Sequence, residues 1–480
     1  MLFPTVAFAV FFLTAFTVNW LLRPHFLVWQ ATMIALSLYF YGWVDLRFVF
    51  ILVASAVVNW ALALATRRAM ADGERTVESR RLVRVAVAAN LVVLAVFKYH
   101  GFFVESTVDA LAGVGLHPTP PVLDILLPIG ISFFTFQAIS YVVDVGRGDI
   151  EPIGFADLLL YLTFFPHLVA GPIVRVDELV PQFHARPDPR RIPATEALTL
   201  IGLGLFKTVV ISSYLATQLV DPAYGAPRLA SGTELLVSTY AYAIQIYADF
   251  SGYTDIAIGC ALLLGIRLPR NFDAPYAALS VREFWHRWHI TLSRWLRDYV
   301  YVPLGGNRHG DATTYRNLMA TMLLGGLWHG ADWKFVIWGG LHGTFLVGER
   351  VASTWWAGRA EVPVAARPLA TVARWLLTFN LVCLAWVFFR ADTAGTALEI
   401  LGRIATGAAG PAGLITALAL LTIAAALAIQ LVPHRPAADG LRARFSALDP
   451  ALQAVVLAAA LTLISVLGPD GVAPFTYFQF

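Results

Sequence analysis

Residues 325–343 read GGLWHGADWKFVIWGGLHG, a run that places His329, Asp332, Lys334 and His342 among apolar residues and glycines. The surrounding stretch, 318–347, is otherwise apolar enough to cross a bilayer. Near the bilayer centre each ionised side chain costs about 2.5–3.5 kcal/mol on insertion scales. A straight helix through 318–347 puts Asp332 and Lys334 close to that centre. A break near Gly330 relieves the cost. Two shorter pieces, 316–328 and 333–347, then meet at a cavity where protein or water satisfies the freed backbone groups. His329 ends the first piece, flanked by Trp328. A buried imidazole is easily kept neutral and accepts a proton near pH 7, which suits a general base. The plainer role is a structural histidine bonded to a backbone carbonyl. For His342, among glycines of the second piece, packing is the expected role.

A second polar group lies in 282–306, REFWHRWHITLSRWLRDYVYVPLGG. At 3.6 residues per turn, Phe284, Trp288, Leu292, Trp295 and Tyr299 share one side of a helix. Arg282, His286, His289, Ser293 and Arg297 share the other. Such a helix lies in the cytoplasmic interface with its aromatic side among lipid headgroups. Alternatively its polar stripe faces a water-filled cavity, and then His286 or His289 is available for chemistry. His286 and His289 also have a His-x-x-His metal spacing, but no nearby cysteine or third ligand completes a site, and no metal is expected.

In YADFSGYTDIAIG, 247–259, Asp249, Ser251 and Asp255 fall inside an apolar window. Intramembrane carboxylates are costly and are usually paired or functional. Asp249 or Asp255 either orients a histidine, pairs with an arginine of 282–297, or holds helices together by polar contacts. The runs 127–145 and 164–175 combine proline and glycine with apolar residues and read as kinked or broken helices lining the same space. His167 there is a further candidate ligand.

These groups need a membrane scaffold, and composition provides one. The 480-residue chain is 58% hydrophobic and 14% charged, against about 25% charged in soluble domains. Windows 3–22, 48–66, 411–432 and 451–468 contain no Asp, Glu, Lys or Arg, and each can cross a hydrocarbon core of about 30 Å. Further apolar windows lie at 27–44, 85–104, 125–143, 158–174, 200–220, 235–262 and 375–389. The expectation is an all-α polytopic protein with 11 to 13 spanning or re-entrant segments in the lipid bilayer. The first window lacks a basic flank and a cleavage site, so it reads as a retained helix and not a signal peptide. Cys260 and Cys383 lie far apart in apolar segments and indicate neither a disulfide nor a metal site. Arginines crowd 67–84, 175–191 and 435–444. Basic short loops stay in the cytoplasm, so three preceding helices put the N-terminus outside. The loops at 359–368 and 433–450 are linker-like, and the tail PFTYFQF reads as an interfacial aromatic anchor or a docking element. No nucleic-acid partner is expected.

Taken together, REFWHRWHITLSRWLRDYVYVPLGGNRHG and the later LWHG resemble the membrane-bound O-acyltransferase family. The likeness extends to FKYHGFF at 97–103, LPIGISFFTFQAISYVVDV, FFPHLVAGPIVR, DFSGYTDIAIG and the terminal FTYFQF, in order over about 90–480. It is nearest to the bacterial alginate O-acetylation branch, with D-alanyl transfer proteins of teichoic-acid modification more distant. The resemblance implies one transmembrane domain over 1–480 with helices around a central tunnel. Its catalytic core covers roughly 90–350, and C-terminal helices with the aromatic tail cover 351–480. It implies that His329 in LWHG is the membrane-embedded catalytic histidine and that His289 in RWHI occupies the family's second position. On this reading neutral His329 is the general base, directly or after a transient acyl intermediate, and His289 orients or polarises the donor carbonyl. Trp328, Asp249, Ser251, Asp255, Arg282, Trp285, His286, Trp288 and Arg297 are expected to bind the donor or line the tunnel.

The resemblance further implies a cytoplasmic thioester donor such as acetyl-CoA, with no bound cofactor besides. The acceptor is an exported polysaccharide, reached with a periplasmic acetyltransferase or esterase-like partner, and the location is the bacterial cell inner membrane. Two other readings stay open on the sequence. One is D-alanyl or other acyl transfer to a cell-envelope polymer. The other is a transporter or flippase that uses intramembrane Asp and His as proton relays.

Overall fold

A computed structural model describes residues 1, 3–71, 73–119, 126–356, 367–410, 413–432, 440 and 443–468. Among them the regular elements are helices, as a chain that must satisfy its own backbone groups in hydrocarbon requires. Five are long and apolar enough to cross a membrane: Leu46–Arg68, Val77–Ala112, Ala194–Gly225, Arg367–Arg390 and Pro450–Leu467. Shorter apolar helices span Val6–Leu22, Phe26–Gly42 and Ala417–Leu431. The aromatic tail 474–480, residues 359–366 of the linker-like stretch 359–368, and residues 433–439 and 441–442 of the stretch 433–450 lie outside the described residues.

The chain forms two compact units, the first made of Met1–Ile201 and Ile256–Pro269, the second of Gly202–Asp255 and Arg270–Phe480. In the first unit the basic loop is shorter than its arginines suggest. The Thr76 hydroxyl accepts from the Ser79 amide at 3.0 Å and donates to the Ala69 carbonyl at 2.6 Å. This cap starts a helix at Val77, so Arg80, Arg81 and Arg84 ride on its first turns. The expected kink in 127–145 is also displaced. Gly130, at φ 74°, precedes an unbroken helix Ile131–Arg147 that is buried on nearly every side. A Cβ at residue 130 would come within 2.8 Å of the Leu168 carbonyl, so only glycine fits that approach. The 164–175 segment is broken as expected. A single turn, Phe165–Leu168, carries a buried His167 beside the Phe164 ring at 5.8 Å.

In the second unit the break at Gly330 is present, but the pieces are longer than 316–328 and 333–347. They are the helices Gly310–His329 and Trp333–Trp356, of 20 and 24 residues. At about 1.5 Å per residue the first is about 30 Å long, so this is a hairpin of two full helices and not one span in halves. Glycines close it. A Cβ at Gly326 would strike the Phe335 carbonyl, one at Gly339 the Met322 carbonyl, and one at Gly343 would lie 2.7 Å from the Met319 sulfur. Small residues of this kind let helix backbones touch where lipid gives no hydrophobic drive to associate.

A second close crossing involves Ala194–Gly225 and Gly232–Leu263. A Cβ at Gly252 would come within 2.6 Å of the Gly204 carbonyl. That proximity lets Lys207, in the π-helical turn Phe206–Ser212, reach Asp255 at 2.7 Å. Asp255 therefore holds two helices together and does not pair with an arginine of 282–297, the alternative the sequence left open.

Two outcomes follow from these contacts. Gly339→Val overpacks the hairpin and costs about 1–3 kcal/mol, while Gly348→Ala, whose Cβ would meet nothing within 4 Å, leaves thermal unfolding in detergent unchanged or raised. Equal midpoints for the two variants would remove the glycine contacts as the hairpin's basis. For the ion pair, Asp255→Asn alone lowers the midpoint more than Lys207→Met with Asp255→Leu together, because a lone half-buried cation is worse than none. A double variant as unstable as the sum of its parts would refute the pairing.

Candidate active site

His329 is the last residue of its helix, and Gly330 continues in extended backbone. The next helix starts after Asp332, whose carboxylate accepts from the Lys334 amide at 2.8 Å. The Lys334 ammonium donates to the Ala391 carbonyl at 2.8 Å, just beyond the C-terminus of Arg367–Arg390, where the helix dipole favours a cation. The polar groups of Asp332 and Lys334 are thus accounted for by the turn and by the Ala391 carbonyl. His329 is left among rings: Trp328 at 4.9 Å, Trp338 at 5.0 Å and Phe389 at 5.2 Å between centroids. It is 4% exposed.

The stretch 282–299 is not one amphipathic helix. It divides into Val281–Arg287 and Ile290–Leu296, and His289 between them adopts φ 42°, ψ 55°. A non-glycine residue in the left-handed region costs about 1–2 kcal/mol and persists only where its surroundings enforce it. Asn271 and Asp273 do so. The Ile290 amide donates to the Asn271 carbonyl at 2.9 Å, the Thr291 hydroxyl to its side-chain oxygen at 2.7 Å, and the Asp273 amide to the Arg287 carbonyl at 3.0 Å.

This break corrects the predicted polar stripe. His289 leaves the face shared by Arg282, His286 and Arg297 and turns into the core, where it is 0% exposed. Its ring lies 4.7 Å from Phe250 and 5.8 Å from Trp328. The two expected catalytic histidines therefore flank the same indole, and His286 stays exposed and apart from His289. Neither ring nitrogen of His289 bonds to another described residue, nor does Trp338 Nε1 or Ser251 Oγ. Asp249 and Ser251 are buried on either side of Phe250. Trp288 is core, stacked on Phe284 at 5.6 Å and 5.0 Å from Trp386.

Arg282, Trp285, His286, Ser293 and Arg297 line a cavity of about 540 Å³, within the usual range for small-molecule sites. Two arginines that spacing did not single out line it too, Arg294 and Arg350. Arg294 was missed because the break at His289 rotates the second helix. Arg350 comes from the far end of the hairpin, with no local signal, and is held by Asp311 at 3.2 Å. Four guanidiniums and one carboxylate, Glu349, line it; Arg297 is paired with Asp298 at 2.6 Å and Arg350 with Asp311, and the lining keeps an excess of positive charge. His289 does not line it. Trp285 does, and its indole N–H donates to His342 Nδ1 at 3.3 Å.

The sequence profile of the membrane-bound O-acyltransferase family matches residues 8–389. A probable alginate O-acetylase of Azotobacter vinelandii is 43% identical over 75% of this chain and 69% of its own length. The peptidoglycan O-acetyltransferase of Helicobacter pylori is 38% identical over 76% of this chain and 71% of its own. A teichoic acid D-alanyltransferase of Streptococcus thermophilus is 30% identical over 52% and 63% respectively. A likeness of that extent, over a described body of helices with two buried imidazoles around one tryptophan, identifies the chain as an O-acyltransferase that belongs to the membrane-bound O-acyltransferase family.

Proposed function

We propose that the protein moves an acetyl group from cytoplasmic acetyl-CoA across the cell inner membrane for O-acetylation of an exported polysaccharide. One observation carries this reading: a water-poor imidazole, His329, lies a short path of ring contacts from a guanidinium-lined cavity. The relatives named as O-acetylases and an O-acetyltransferase supply the acyl class. The nucleotide end of the donor is polyanionic and suits the cavity's arginines. A cavity also favours acetyl-CoA over D-alanine on a carrier protein, which needs a docking surface instead. The arginine-rich ends near Arg67 and Arg190 stay in the cytoplasm, which sets the N-terminus in the periplasm. A periplasmic esterase-like partner then completes delivery to the polymer.

The chemistry is an acyl exchange. The acceptor hydroxyl oxygen attacks the acyl carbon, His329 takes the hydroxyl proton, the thioester C–S bond breaks as the ester C–O bond forms, and the proton passes to the thiolate. Free thiol and ester result. His289 and the Trp338 N–H, which has no partner among the described residues, are polar groups available to the reacting carbonyl in surroundings where such contacts are strong. Tryptophan and phenylalanine rings keep out the water that would hydrolyse the activated acyl group.

His329→Ala, in protein that still inserts and folds, lowers the rate of acyl transfer by about 10²–10⁴ with little change in donor KM. Near-normal transfer would rule out the base. Arg282→Gln with Arg297→Gln raises donor KM several-fold, and the rise shrinks as salt screens these exposed charges. A KM that does not move would place the donor elsewhere.

A further inference from the structure

We propose that the Trp285 indole, held in place by His342, gauges acyl length, so that only a short acyl group reaches His329 from the guanidinium-lined cavity. The inference rests on the donor reading above and names the feature that selects among donors. Trp285 is a wall of the cavity. Its ring meets Trp338 at 5.7 Å and 73°, and Trp338 meets His329 at 5.0 Å and 81°. In that chain of contacts one ring stands between the cavity wall and the imidazole. Trp338 is 0% exposed and Trp285 9%, so Trp285 is the ring that an acyl group entering from the cavity meets first.

His342 fixes the outer of these. With Nδ1 accepting from Trp285, the neutral ring carries its proton on Nε2, which has no partner among the described residues. Phe284 stacks on the ring at 6.1 Å and 8°, and Phe345 meets it at 6.0 Å. The imidazole is therefore clamped with its acceptor towards the indole. That makes His342 a positioning residue, where the sequence suggested packing alone. The transfer step is the same for any acyl group: the thioester C–S bond breaks, the ester C–O bond forms, and the hydroxyl proton ends on the thiol. What changes with length is the fit, and one methylene in an apolar pocket alters discrimination by about 10–200-fold.

The test compares acetyl-CoA with butyryl-CoA on membranes containing the full chain. It reads the thiol release that disappears in the His329→Ala protein. Trp285→Ala and Trp285→Phe are expected to raise the butyryl-to-acetyl ratio by about tenfold or more. His342→Leu, which keeps bulk but loses the acceptor, raises it less, and His342→Gln, which restores an acceptor, returns it towards wild type. Should Trp285→Ala not fold, Trp285→Phe carries the comparison. A ratio unchanged in Trp285→Phe, with acetyl transfer retained, overturns the gauge and leaves the donor reading intact. Wild-type membranes that release no His329-dependent thiol from acetyl-CoA overturn the donor reading and the gauge together.

Discussion

Backbone contact at Gly326 and Gly339 lets two helices lie closer than any side chain allows, and the rest of the site depends on that closeness. Lipid offers no hydrophobic reason for helices to associate, so their packing must be gained from dispersion and hydrogen bonds at short range. The hairpin sets Trp328 and His329 on one helix beside Trp338 and His342 on the other. A larger residue at either glycine would part these rings and open the imidazole to water. The glycines that look like helix weakeners in the sequence are the reason a polar group can be held there at all.

Both candidate histidines sit where a helix is interrupted, and each interruption is satisfied differently. At Gly330 the chain turns, and Asp332 and Lys334 are bound by the turn and by the Ala391 carbonyl. At His289 the backbone enters the left-handed region and the segment Asn271–Asp273 takes up the freed groups. Broken helices are tolerated in membranes where protein replaces the missing bonds. Here the replacement also aims both imidazoles at one tryptophan. Arg282, Arg294, Arg297 and Arg350 stay on the cavity side, so these charges and the ring-enclosed imidazole are separated in space by Trp285.

Much of this was legible in the residues. The uncharged windows gave the helical membrane class, the cost of Asp332 and Lys334 pointed to a break near Gly330, and the ordered motifs named the family. What stayed hidden depends on tertiary contacts. Helical spacing placed His289 with Arg282 and His286, since nothing local announces a left-handed histidine held by Asn271, eighteen positions earlier. Arg350 reached the cavity from the far end of the hairpin. Asp255 found Lys207 because Gly252 lets two helices cross closely, a pairing that spacing cannot foresee. Thr76 began its helix sooner than the arginine run suggested, because a capping hydroxyl outweighs charge in setting a helix start.

The proposed reaction makes free thiol, and moving an intact donor does not. The full chain reconstituted in sealed vesicles, with acyl-labelled acetyl-CoA on one side, allows thiol and transferred label to be measured in the same sample. Release of one thiol for each acyl group that reaches a hydroxyl acceptor is the predicted result. Label that crosses as intact thioester, with no thiol formed, would contradict an imidazole at 329 that breaks the C–S bond.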